Sequence, residues 1–151
     1  MKNPSNSKVD RSYFEGEKPI GWLIAKVSAK YEKEFLQKLT EDKHFSSITN
    51  SDHRVLKFLT ANGVNSNDIA RQIGVSKQAI SKTISSLEKR GFIVRKESLE
   101  DGRSQILLLT EKGNKLVLKA VQVAKELEQS TLKKLGAKDL NLLKELLSRT
   151  H

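Results

Sequence analysis

The chain of 151 residues contains no cysteine, which excludes disulfides, thiolate metal sites and thiol-based redox sensing. Proline occurs only at Pro4 and Pro19, so nothing beyond residue 19 forbids long helices. No uninterrupted apolar run exceeds four residues, as at Ile106 to Leu109, far short of the ~20 needed to cross a bilayer. The opening MKNPSNSKVDRS lacks the apolar stretch of a secretion signal, so a soluble cytoplasmic protein is expected. Acids are also scarce. Eighteen Asp and Glu face 28 Lys and Arg, a net charge of +10, which suggests a polyanionic partner.

The apolar residues that are present recur at structural periods. Pro19 is well placed to open a helix, and Ile20, Leu23, Ile24, Val27, Tyr31, Phe35 and Leu39 follow at three- and four-residue steps. Residues 40 to 48 read as a loop. Thr49 and Asp52 form an acidic capping box for a helix that buries Val55, Leu56 and Leu59 and stops at Gly63. Asn65 with Asp68 caps the next helix, Gly74 permits a tight turn, and Ser76 caps a helix running to Arg90 with Gly91 as its stop.

The period then changes. Phe92 to Lys96 and Gln105 to Thr110 read as two strands around ESLEDGRS, whose Asp-Gly pair marks a hairpin. Thr110 caps a long helix that Gly136 breaks, and a last helix carries Leu140, Leu142, Leu143, Leu146 and Leu147. Helix, turn, helix and hairpin make a winged helix-turn-helix, in which the second helix enters the DNA major groove.

The helix from Ser76 to Arg90 has the division of faces that this role needs. At about 100° per residue, Lys77, Gln78, Ser81, Lys82 and Ser85 fall within an arc of about 140°, opposite Ile80, Ile84 and Leu87. Gln can pair with the N6 and N7 edge of adenine, and Lys can reach guanine or phosphate. Between Ser76 and Lys96 six bases face one acid, Glu88, a net +5 over 21 residues. At the hairpin tip Arg103 follows Asp101-Gly102, where a guanidinium suits a narrow minor groove.

From Asp52 to about Val117 the chain resembles the MarR (multiple antibiotic resistance regulator) family. The matching stretches are HRVLKFL, NDIARQIGVSKQAISKTISSLEKRGFIVR and EDGRSQILLLTEKGNKLV. The resemblance matches the family's recognition helix to Ser76–Arg90, which implies major-groove roles for Lys77, Gln78, Ser81 and Lys82 and makes Ser76, at its start, a further DNA-binding residue. It makes Arg103 the wing arginine, Asp101 the residue that braces it, and Arg95 part of the wing-support and backbone-contact network. Ser66 and Asn67 would meet phosphate through side chains and free amides. It further implies a bacterial or archaeal homodimer, usually a repressor, often released by a small phenolic or lipophilic ligand.

The expected fold is mainly α with a small β-hairpin wing (α+β). It divides into an arm over residues 1–18, a winged helix-turn-helix DNA-binding lobe over 49–110, and a helical dimerisation lobe from 19–48 and 111–151. The leucines of the last helix, and Leu116 to Leu127 of the long one, present more apolar surface than one copy covers, so a homodimer on a pseudo-palindromic double-stranded DNA operator is expected. Trp22 is the candidate for binding a planar aromatic or phenolic effector. No cofactor is expected, and His44, His53 and His151 form no H-x₃-H pair, so no metal is either. The chain has no G-x-S-x-G, phosphate-binding glycine loop or HExxH, so it is not expected to be an enzyme. The competing readings are a constitutive or architectural DNA binder without an effector, a winged helix used for protein contact, and a membrane-surface protein, the last lacking a helix that pairs a basic face with a bulky aromatic one.

Overall fold

Helix α1 (Ile20–Thr40) begins directly after Pro19, whose carbonyl accepts from the Leu23 amide at 3.1 Å. The computed structural model describes residue 16 and residues 18–59, 62–97 and 105–150. After α1 come a short 3₁₀ turn (Lys43–Phe45), α2 (Asn50–Leu56), β1 (Val64–Asn65), α3 (Ser66–Ile73), α4 (Lys77–Lys89), β2 (Ile93–Glu97), β3 (Gln105–Leu109) and α5 (Glu111–Ser148). The 3₁₀ turn lies in the expected loop, started by Asp42, whose carboxylate accepts from the His44 amide. Gly136 interrupts α5 with non-helical angles (φ 78°, ψ 164°), where the sequence predicts the break.

The chain divides into two compact units, Met1–Glu34 and Phe35–His151. In the first, Ile20, Leu23, Ile24, Val27 and Tyr31 form a stripe that is exposed throughout. In the second, Phe35 and Leu39 at the end of α1 belong to the core, with Val55, Ile69, Ile84, Leu87, Phe92 and Leu107.

The Thr49–Asp52 capping box forms as its spacing predicts: Thr49 Oγ1 accepts from the Asp52 amide, and Asp52 Oδ2 accepts from the Thr49 amide at 2.8 Å. Gly63, however, is not what stops α2. The helix ends at Leu56, and Phe58 and Leu59 tighten into turns onto the carbonyls of Val55 and Leu56. Gly63 (φ 79°) leads instead into β1, a strand that a two-residue segment is too short to announce by period. Val64 pairs with Leu107 and Asn65 with Ile106, so the wing is a three-stranded antiparallel sheet in the order β1-β3-β2 rather than a hairpin alone. Strands β2 and β3 keep the expected register, Ile93 opposite Leu109 and Glu97 opposite Gln105.

Two glycines fix how these elements meet. Gly74 ends α3 in the left-handed region (φ 72°), its amide bonded to the Ala70 carbonyl, and so turns the chain sharply into α4. Gly113, buried in the first turn of α5, lies against the backbone just before β2: a Cβ there would run into the Phe92 carbonyl oxygen.

Candidate nucleic-acid interface

Ser76 starts α4, its Oγ accepting from the Ala79 amide at 3.2 Å. Ile80, Ile84 and Leu87 are buried, which anchors one side of the helix by about 1.5–3 kcal/mol per side chain. Lys77, Gln78, Ser81, Lys82 and Ser85 are all exposed on the other side, as the helical wheel predicts. The helix closes with Gly91 bonded to the Glu88 carbonyl and Phe92 to that of Leu87, the paired bonds of a Schellman stop.

Asn65 caps α3 by accepting from the Asn67 amide at 2.8 Å. This corrects two expectations. The Asn67 amide is not free for phosphate, because its own cap occupies it, although the Asn67 side chain is exposed and Ser66 is half-buried at the same end. Asp68 does not complete a capping box; it pairs with Arg71 at 2.7 Å.

The charge of the segment is also redistributed. Arg95 on β2 donates from Nε to Glu88 Oε2 at 3.0 Å, and its Nη2 lies 3.5 Å from Ser85 Oγ, so it braces the wing strand against α4. Arg90 is paired with Asp52, which is 3% exposed. Of the six bases counted in the sequence, the four lysines Lys77, Lys82, Lys89 and Lys96 are exposed and meet no acid among the described residues. The basic face is therefore narrower than the composition implies. Asp101 and Arg103 lie outside the described residues.

The Arg90–Asp52 pair is a feature that sequence reasoning missed. Arg90 Nη2 donates to Asp52 Oδ1 at 2.6 Å, Nη1 to the Ser47 carbonyl at 2.9 Å and Nε to the Ser86 carbonyl at 3.1 Å. The Arg90 carbonyl in turn accepts from Lys112 Nζ at 2.9 Å. The partners are 38 residues apart in sequence, so no local spacing signals them.

Beside this junction lies a cleft of about 290 Å³ between the end of α1, α2 and α5. Its walls are apolar, including Leu39, Ile48, Leu116 and Ala120, with His53 and Lys57 as the polar side chains. The His53 ring packs on Phe35 with centroids 4.4 Å apart. Trp22 is not among the lining residues; it is 40% exposed in the first unit, with Lys26 Nζ 4.7 Å from its ring centre. Among the described residues no group of three His, Asp or Glu could hold a metal, and no helix is long and apolar enough to cross a membrane.

The fold and the exposed helix define a winged helix-turn-helix protein. The sequence profile of the MarR family matches residues 46–104. The transcriptional regulator FarR of Neisseria gonorrhoeae is 30% identical over 104 residues, covering 68% of this chain and 71% of FarR. Among solved structures, the transcriptional repressor CouR bound to a 23-mer DNA duplex superposes with a TM-score of 0.74 at 26% identity, over 95% of this chain and 98% of CouR. Staphylococcus aureus MepR bound to ethidium bromide gives 0.60 at 26% identity, over 87% of this chain and 94% of MepR. The chain belongs to the MarR family of transcriptional regulators, and the relatives it matches are regulators rather than enzymes.

Proposed function

We propose that the protein is a homodimeric, sequence-specific repressor that binds a pseudo-palindromic duplex and is released by a small organic ligand. The observation that carries DNA binding is α4, whose buried Ile80, Ile84 and Leu87 hold Lys77, Gln78, Ser81 and Lys82 outward on one face. In this reading Gln78 and Lys82 meet base edges, Ser66, Asn67, Ser76 and Arg95 meet or position the phosphate backbone, and Arg103, held by Asp101, enters the minor groove. Residues 49–110 then form the DNA-binding lobe, and 19–48 with 111–151 the dimerisation lobe.

Dimerisation is supported by apolar surface left open in a single copy. Leu142, Leu143, Leu146 and Leu147 are each 41–50% exposed beyond Gly136, and Ile20 and Val27 are more exposed still. A second copy would cover such faces in an isologous interface. Sedimentation at micromolar concentration should return twice the chain mass; the mass of one chain would sink the dimer.

The ligand reading rests on the apolar cleft, the size of which suits a small planar aromatic such as a phenol. MepR binding ethidium bromide supports ligand capture by this architecture. We place the effector there rather than on Trp22. Anisotropy of a labelled duplex, selected in vitro by the protein and titrated with a panel of planar aromatics, tests both halves. Equal affinity for random DNA would overturn the regulator, and indifference to every compound would favour the constitutive binder.

A further inference from the structure

We propose that Arg90 is the positioning residue that sets α4 for DNA and reports on the cleft to it. The proposal rests on the reading of α4 as the DNA-reading helix and of the cleft as the effector site. Its support is where the Arg90 bonds end. One reaches the Ser47 carbonyl and another Asp52 Oδ1, and the next residues in the chain, Ile48 and His53, are both walls of the cleft. Asp52 also caps α2 through its second carboxylate oxygen, so the guanidinium holds the loop and the helix start together. The third bond, from Nε to the Ser86 carbonyl, ties the same side chain to the end of α4, and the Lys112 bond to the Arg90 main-chain carbonyl ties that helix end to α5. An occupant that pushes Ile48 or His53 outward moves Ser47 or Asp52 and loosens the seat of α4. A ligand can shift the equilibrium only by such differential contact.

Charge alone and positioning predict opposite signs, which makes the proposal testable. Operator affinity is measured on the full chain across a range of salt, with a duplex selected by the wild type, for Arg90→Gln, Arg90→Lys and Asp52→Asn. Asp52→Asn removes an acid near the basic face, so electrostatics alone would tighten binding. The positioning role requires it to weaken binding about tenfold, as Arg90→Gln does, both with the wild-type salt slope and with partial recovery in Arg90→Lys. Tighter binding by Asp52→Asn overturns the proposal, as does a slope reduced by about one in Arg90→Gln, the mark of a phosphate contact. Thermal unfolding checks each variant, and if Arg90→Gln does not fold, Asp52→Asn, which keeps an acceptor for the cap, decides.

The link to the cleft is read with Ala120→Phe, which fills it without needing the natural effector. It should weaken operator binding several-fold when Arg90 is present and by less than twofold in Arg90→Gln; additive losses overturn the coupling. If the wild type selects no duplex, the regulator reading itself falls. A selected duplex bound equally by all variants overturns only the role of Arg90.

Discussion

Arg95 reaches from the first long wing strand to Glu88, the next-to-last residue of α4, with Nε 3.0 Å from Oε2. Both side chains are about one-third exposed, so the pair adds little to global stability, about 0.2–1 kcal/mol. Its effect should be local. Glu88→Gln is expected to leave thermal unfolding nearly unchanged while amide exchange in β2 (Ile93–Glu97) accelerates. A large loss of stability with unchanged exchange would mean that the bridge serves the core, not the wing.

Gly113 is expected to tolerate no side chain. Its amide caps onto Thr110 Oγ1 at 3.1 Å, and an added Cβ would meet the Phe92 carbonyl, which is backbone and cannot step aside. Gly113→Ala should therefore cost about 1–3 kcal/mol in urea unfolding by overpacking, despite the better helix propensity of alanine. A gain in stability would show that Gly113 has room beside the Phe92 carbonyl for a methyl group.

How much of this was legible in the sequence depends on the range of each interaction. The caps at Thr49, Ser76 and Thr110, the break at Gly136 and the buried stripe Ile80–Ile84–Leu87 all follow from spacings of a few residues, and each forms as read. Strand β1 has too few residues to show a period, and its partners lie some 40 residues away. The same holds for Asp52 and Arg90: the capping role of Asp52 is local and visible, while its ion pair needs the folded chain. Arg90 and Arg95 counted as free charge in the composition, and only their partners show that the exposed basic face is made of lysines.

Acid should weaken one tie between α1 and α5. The carboxyl of Glu126 titrates below its ordinary 4.5, first because Lys38 donates to it at 3.2 Å and further through Gln122. A carboxylate favoured in the folded state contributes stability that is present above the ordinary value and is lost as pH falls through the lowered one. Lys38→Met should raise the Glu126 value toward 4.5 in an NMR titration; an unchanged titration would show that Lys38 is not the cause.

The exposed face of α4 carries the central claim, and the paired salt dependence of Lys82→Ala and Gln78→Ala on a selected duplex tests it most directly. Lys82 is charged, and its loss should weaken binding to all sequences; if it neutralises a phosphate, the log–log salt slope should flatten by about one. Gln78 is neutral, so its loss should leave the slope alone and relax discrimination at one position in each half-site by about 1–3 kcal/mol. That pattern is the expected result. Both variants binding the duplex with wild-type affinity, slope and base preference would show that this face does not touch DNA.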